Sequence, residues 1–160
     1  MIGMLSKKQR TELRAVIIFV DSLNQTINAS DFIFPEEASP VDVIYNPQKA
    51  KFQVTSVDGG PNKLIRHNKY EHKIKLTEIV DKYIIDPITK KYNTNFGYGV
   101  SDVILLIHSV IYPGRPGGLE ADIQKRKKEI TDISIKSGFK SIYLVFDMSG
   151  LTVPVYIPKS

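Results

Sequence analysis

The stretch VDVIYNPQKAKFQVTS, residues 41–56, decides the fold class. Two apolar runs flank an Asn-Pro turn, and Pro47 suits the second position of a β-turn because its ring holds φ at about −65°. This pattern predicts a β-hairpin. Polar residues nevertheless occur in both runs, namely Asp42 in the first and Gln53 and Thr55 in the second. A hairpin that only filled a core would not carry them.

The turn sets the register of the hairpin. It pairs residues that lie at equal distances from it: Tyr45 with Ala50, Val43 with Phe52, and Asp42 with Gln53. Because side chains alternate along a strand, Val43 and Phe52 share one face and Asp42, Gln53 and Thr55 share the other. Opposed residues are neighbours across two strands. We therefore expect a carboxylate and an amide to converge on one polar spot, unless a one-residue bulge changes the register.

The composition bounds the class of protein. A chain of 160 residues that is 42% hydrophobic has the size and apolar content of a single domain spanning residues 1–160. It contains no cysteine, which excludes disulfides and thiolate metal sites and fits a cytoplasmic protein. No apolar run approaches the roughly 20 residues of a membrane span. We expect no membrane partner and no signal peptide, because AVIIFV (15–20) lies within an amphipathic pattern.

The remaining elements follow from hydrophobic spacing and turn residues. Helical spacing predicts helices over residues 6–28, 68–92 and 119–137, with Pro87 kinking or ending the second. Apolar runs predict strands over residues 101–112, 141–147 and 152–157, with a short edge strand at 32–34. A helical crossover makes the two strands that it joins parallel. The order predicts an α/β fold with a mixed β-sheet and helices on both faces.

This order and the hairpin resemble the PD-(D/E)xK nuclease superfamily. In that family an Asp on one core strand and a (D/E)xK motif on the next bind Mg²⁺ and activate water. Asp42 matches the family's Asp, Gln53 its second acidic position and Thr55 its lysine. The resemblance implies a restriction-endonuclease-like core, catalytic roles for Asp42, Gln53 and Thr55, Mg²⁺ or Mn²⁺ as cofactor with Asp42 as its ligand, and nucleic acid as substrate.

The chain departs from the family motif at two positions. Gln53 offers a neutral carbonyl oxygen where a carboxylate is expected, and Thr55 carries no charge. Such a degenerate site predicts little or no nuclease activity. Some family members draw an acid or a lysine from a neighbouring element, in which case the wild-type chain should cleave. The candidates for such migrated groups are Glu12, Asp31, Lys69 and Lys73. The alternative is an ordinary polar sheet face, hydrogen-bonded to a helix or water, in a non-catalytic interaction domain.

Basic residues give a second indication of nucleic acid. The net charge is +5 and the pI about 9.3. Lys125, Lys127 and Lys128 lie on or beside the outer face of the predicted third helix, and Arg115 lies in the loop YPGRPGG before it. These residues are candidates for phosphate contacts, which give affinity without reading sequence. The alternatives are a solvated face for the lysines and a simple connection for the loop.

The histidines give no independent site. His67, His72 and His108 show no metal-binding spacing, and His108 ends a predicted buried strand, where a satisfied core residue is expected. No Ser-His-Asp arrangement is expected from the sequence. The sequence therefore favours nucleic-acid binding or processing at a degenerate metal site.

Overall fold

The computed structural model describes residues 5–35, 39–57, 79–95, 98–110 and 118–158. The α-helices are α1 (Lys7–Ser22), α2 (Asp86–Thr94), α3 (Gly118–Lys125) and α4 (Lys127–Ser137). The strands are β1 (Phe32–Ile33), β2 (Val43–Tyr45), β3 (Ala50–Ser56), β4 (Val103–Ser109), β5 (Ser141–Phe146) and β6 (Leu151–Tyr156). Within these ranges, no helix has the length and apolar character needed to cross a membrane.

The six strands form one mixed sheet in the order of the chain, β1 to β6. The three central strands β3, β4 and β5 are parallel, whereas β1, β2 and β6 run antiparallel to their neighbours. The crossovers before β4 and β5 are long enough for parallel pairing, while short turns precede β3 and β6. The predicted α/β class, the edge strand at Phe32 and the parallel pair β4–β5 are confirmed.

Two apolar clusters cover the sheet, one on each face. Leu106 belongs to the cluster built around α1, whereas its neighbours Leu105 and Ile107 belong to the cluster built around α2, α3 and α4. Successive side chains of a strand point to opposite faces, so this alternation places the helices on both sides. It also explains why β4 is apolar without interruption.

Helix α1 begins as predicted and ends earlier. Ser6 and Gln9 form a reciprocal capping box, with Gln9 N–H donating to Ser6 Oγ and Ser6 N–H donating to Gln9 Oε1. The prediction of a helix to residue 28 was wrong, because α1 ends at Ser22. Asn24 adopts a left-handed conformation with φ of 59°, which ends the helix and which asparagine tolerates.

The hairpin has the predicted pairing close to its turn. Tyr45 lies opposite Ala50 and Val43 opposite Phe52. Asn46–Gln48 form a single 3₁₀ turn, and Lys49 closes the loop with φ of 53°. A residue with positive φ at the end of a short loop matches the twist of the two strands.

The helix that follows the hairpin contains a π-helical turn. Residues 68–78 of the predicted element lie outside the described residues. Asp81–Ile85 form the π-helical turn, and Pro87 lies in the first turn of α2. Proline has no N–H to donate, and a wide turn just before it absorbs the missing hydrogen bond. The helix therefore does not end near Asp86 but continues to Thr94.

The predicted third helix is two helices. The break lies at Arg126, whose φ and ψ of −119° and 27° are not helical. The apolar positions of both helices face the core, with Leu119 and Ile130 buried and Ile123 and Ile133 packed beside them. Gly138 ends α4 in a left-handed conformation, which glycine adopts without steric cost.

Candidate functional site

Asp42 lies just outside β2, at a local irregularity of the hairpin. Its N–H donates to the Phe52 carbonyl at 2.8 Å, although Val43 already lies opposite Phe52. Two consecutive residues therefore face one residue, which is the arrangement of a β-bulge. The predicted ladder pair between Asp42 and Gln53 was wrong, because the bulge takes Asp42 out of register.

The bulge gives the Asp42 carboxylate a new direction. Strand β2 pairs with β3 only as far as Phe52, which leaves the Val54 N–H without a strand partner on that side. Asp42 Oδ2 accepts a hydrogen bond from this N–H at 2.8 Å. The carboxylate thus lies beside the carboxyl-terminal half of β3.

Gln53 is held by a different partner. Its side chain is buried and forms a reciprocal amide pair with Asn95, the residue after α2. Gln53 Nε2 donates to Asn95 Oδ1 at 3.2 Å, and Asn95 Nδ2 donates to Gln53 Oε1 at 2.8 Å. Both the oxygen and the nitrogen of the Gln53 amide are therefore hydrogen-bonded. This fits the alternative of an ordinary polar sheet face that is hydrogen-bonded to a helix. The catalytic role expected for Gln53 stays a prediction.

Glu12 of α1 supplies a second carboxylate next to Asp42. Its side chain is only 6% exposed, and Oε2 has no hydrogen-bond partner among the described residues. Burial, followed by the negative charge of Asp42, raises the pKa of Glu12 from its ordinary value of 4.5 to about 7. The structure describes two of the migrated groups proposed from the sequence, Glu12 and Asp31, and it places Glu12 beside Asp42.

Lys91 of α2 approaches the two acids from the other helix layer. Burial lowers the pKa of Lys91, and the nearby Asp42 carboxylate opposes this shift. The sequence analysis did not single out Lys91. It continues the buried stripe of Ile84 and Ile88 at helical spacing, and a lysine in such a stripe is the signal that could have found it.

A cavity of about 660 Å³ opens above these residues. Its lining comes from α1, β3 and α2: Lys7, Lys8, Thr11, Glu12, Val54, Thr55, Ser56, Lys90 and Lys91. We call it the lysine-lined cavity. Thr55, a predicted site residue, lies in its wall. A second cavity, of about 410 Å³, is lined in part by Asp42 and shares Lys8 and Glu12 with the first, so Glu12 faces both.

The other predicted site residues that the structure describes do not line either cavity. Lys125, Lys127 and Lys128 are exposed at the junction of α3 and α4. The Asp31 carboxylate accepts from the Asn28 N–H at 3.3 Å in a surface turn. The remaining predicted residues, Arg115, Lys69 and Lys73, lie outside the described residues.

The structure brings together a serine, a histidine and an aspartate that the sequence analysis did not connect. Ser56 Oγ lies 3.3 Å from His108 Nδ1, and His108 Nε2 lies 3.0 Å from Asp147 Oδ2. The expectation of no Ser-His-Asp arrangement was therefore wrong. Ser56 ends β3, His108 is the second-last residue of β4, and Asp147 follows β5. Adjacent parallel strands place their carboxyl ends at one edge of a sheet. His108 is fully buried and hydrogen-bonded, as predicted.

The site's acids form a pair rather than a larger cluster. In the described ranges, no group of three or more His, Cys, Asp or Glu side chains is arranged to hold a metal ion. Two carboxylates are nevertheless sufficient for Mg²⁺, which keeps several waters and usually takes one or two carboxylates together with substrate phosphates.

No protein-family model matches this chain, and neither a curated protein nor a solved structure matches it at a significant level. The relationship to PD-(D/E)xK nucleases therefore stays a prediction from the residues themselves.

Proposed function

We propose that this chain binds the phosphodiester backbone of a nucleic acid in the lysine-lined cavity and hydrolyses it with a divalent cation held by Glu12 and Asp42. The observation that carries the proposal is Glu12. A buried carboxylate oxygen that has no hydrogen-bond partner among the described residues, placed beside a second carboxylate, is an unfavourable arrangement that a cation relieves.

Charge supports a phosphate as the second ligand. Four lysines line the cavity together with Glu12, and Asp42 lines the adjoining cavity that Glu12 also faces. These lysines would neutralise the oxygens of a phosphodiester. Mg²⁺ or Mn²⁺ bound to the acids would polarise a phosphoryl oxygen and lower the pKa of a bound water. Lys91 is placed to orient that water or to stabilise charge that develops on the phosphate.

The arrangement also supports a restriction-endonuclease-like core. In this interpretation Glu12 takes the place of the acid that Gln53 lacks, and Lys91 takes the place of the lysine that Thr55 lacks. The site would be complete through migrated groups, and we therefore expect the wild-type chain to cleave. This replaces the expectation of little or no activity that the hairpin motif alone predicts.

Nicking of supercoiled plasmid in the presence of Mn²⁺ tests the proposal. Wild type should nick, while Glu12→Gln and Asp42→Asn should each lose at least about 100-fold in rate, the usual effect of removing one charge-stabilising group. Asp42→Asn keeps an oxygen that can accept from the Val54 N–H, so the bulge is retained. Asp31→Asn removes a surface carboxylate and is the matched control with unchanged nicking.

A folded wild-type protein that binds Mn²⁺ and nucleic acid without nicking would favour the non-catalytic alternative. Nicking that survives in both Glu12→Gln and Asp42→Asn would show that the activity does not belong to this site.

A further inference from the structure

Ser56, His108 and Asp147 form a continuous hydrogen-bonded chain at the carboxyl ends of the parallel strands. Ser56 and His108 are paired across β3 and β4, and Asp147 follows β5 directly. The His108 side chain is fully buried, so its ring is fixed by its neighbours. The chain lies on the α1 face, because Arg14 of α1 forms a salt bridge with Asp147.

The two partners of His108 set its tautomer. An ionised carboxylate can only accept, so the hydrogen bond between Asp147 Oδ2 and Nε2 places the ring proton on Nε2. In the neutral imidazole, Nδ1 then carries a lone pair and accepts from the Ser56 hydroxyl. Burial acts to raise the pKa of Asp147, but hydrogen bonds from Arg14 and His108 outweigh it and hold the pKa below its usual value.

Such an order of groups is the one that activates a serine. The hydroxyl faces a base, and the base is oriented by a carboxylate on its other nitrogen. Ser56 is also accessible, because it lines the lysine-lined cavity. The lysines of that cavity favour an anionic substrate, and lysines commonly stabilise the oxygens of a transferring phosphoryl group.

We propose that Ser56 is a nucleophile that accepts the phosphoryl group of a phosphate ester bound in the lysine-lined cavity, with His108 as general base and Asp147 as the residue that orients the imidazole. A bond forms between Ser56 Oγ and phosphorus while the bond from phosphorus to the leaving oxygen breaks. The hydroxyl proton passes to His108 Nδ1 and then to the leaving oxygen, which departs as an alcohol. Water then hydrolyses the phosphoserine and releases phosphate.

This centre uses no metal ion, which separates it from the hydrolysis proposed for Glu12 and Asp42. The test is covalent labelling by a fluorophosphonate probe in the presence of EDTA, located by mass spectrometry of the digested protein. In that reaction Ser56 Oγ forms the bond to phosphorus and fluoride leaves. Wild type should be labelled at Ser56, and Ser56→Ala should not. Ser101→Ala, which changes an exposed serine, is the control and should label like wild type.

Two further variants distinguish activation from simple exposure. His108→Gln and Asp147→Asn should each slow labelling by about 100-fold or more, because general-base catalysis typically contributes at least that factor. p-Nitrophenyl phosphate added before the probe should slow labelling of wild type by competing for the cavity. Circular dichroism establishes which of the two variants are folded. If only one of them is folded, the labelling rate of that variant decides the test.

The proposal is overturned if folded wild type is not labelled at Ser56. It is equally overturned if labelling at Ser56 proceeds at the wild-type rate in a folded Asp147→Asn or His108→Gln variant. Because EDTA is present throughout, neither result bears on the metal-dependent function.

Discussion

Two acidic pairs in this molecule have opposite electrostatics. Asp81 and Glu129 lie on either side of the Arg126 guanidinium, with Nη2 at 2.8 Å from Asp81 and 2.6 Å from Glu129. Hydrogen bonding to Arg126 holds the pKa of Glu129 below its usual value. Glu12 is buried beside the half-buried Asp42, and the pKa of Glu12 rises to about 7.

The difference between the pairs is the cation. The first pair has its own, supplied by the chain at the break between α3 and α4. In the part of the chain that the structure describes, no salt bridge joins Glu12 or Asp42 to a lysine or arginine. Lys8 and Lys91 lower the pKa of Glu12, but burial and Asp42 outweigh them. Asp81 and Glu129 each form a structural ion pair with Arg126. Glu12 and Asp42 have the electrostatics of a site for an external cation.

Outside the acidic pair itself, the largest effect is expected at Lys91. Lys91→Gln removes the charge that faces the acidic pair and should lower plasmid nicking by about 100-fold, because removal of one preorganised donor typically costs that factor. Mn²⁺ binding should persist, since a lysine repels the cation. A variant that nicks at the wild-type rate would contradict the role of Lys91, and Lys82→Gln on the same helical segment is the control.

The pH dependence of the free energy of unfolding should show that burial of Glu12 beside Asp42 is unfavourable when both are ionised. Because the pKa of Glu12 is about 7 in the folded chain and near 4.5 in the unfolded chain, the folded state binds more protons between these values. The free energy of unfolding should therefore fall as the pH rises from about 4.5 to 7, by about 1–3 kcal/mol. Urea unfolding measures it.

Glu12→Gln provides the comparison for that measurement. The variant cannot ionise, so its curve should lack this decrease and it should exceed wild type in stability at pH 8 in the absence of metal. Asp31→Asn should keep the wild-type curve. Equal pH dependence in wild type and Glu12→Gln would remove the evidence for strain.

Two groups of lysines should differ in their effect on nucleic-acid binding. Each phosphate contact contributes about −0.9 to the slope of log affinity against log salt on duplex DNA. If Lys125, Lys127 and Lys128 contact phosphates, their triple replacement by Ala should flatten the slope by up to about 2.7. Fluorescence anisotropy over a range of salt concentrations measures it, and an unchanged slope would assign these residues to a solvated face.

The same experiment on a triple variant of the cavity lysines provides the comparison. Lys7, Lys8 and Lys90 line the cavity, and their triple replacement should flatten the slope and also reduce nicking. Loss of nicking without a change of slope would show that the cavity does not hold the backbone.

The smallest effect is expected at the ion pairs of Arg126 with Asp81 and Glu129. Arg126→Met should lower the unfolding temperature slightly, because exposed ion pairs contribute little and are screened by salt. Molar salt should reduce the difference from wild type. Mn²⁺ binding and nicking should be unchanged, and a large loss of either would show that the two acidic pairs are not independent.

The sequence predicted the elements better than the site. Local turn chemistry fixes the hairpin, and Val43 lies opposite Phe52 as the turn predicts. The bulge at Asp42 was not predictable, because it depends on the length of β2 and on an unpaired N–H of Val54. Glu12 was only one of four candidates for a migrated group. The number of residues between Glu12 and Asp42 does not tell how far apart the two side chains are in the folded chain.

The chain Ser56–His108–Asp147 could have been predicted in part. Each residue lies near or just after the carboxyl end of a strand that the sequence identifies, and two of these strands were expected to be parallel. The missing information was that β3 is also parallel to β4, which brings Ser56 beside His108. Strand order is a tertiary property, and hydrophobic spacing does not report it.

Isothermal titration of Mn²⁺ into wild type and Glu12→Gln at pH 8 and pH 6 tests the central claim most directly. Wild type should bind one Mn²⁺ at pH 8 and bind it more weakly at pH 6, because a proton on Glu12 competes with the cation. Glu12→Gln should lose most of the affinity at pH 8 and show little pH dependence. Equal binding by the two proteins at pH 8, or no binding by folded wild type, would contradict the assignment of Glu12 and Asp42 as a cation site.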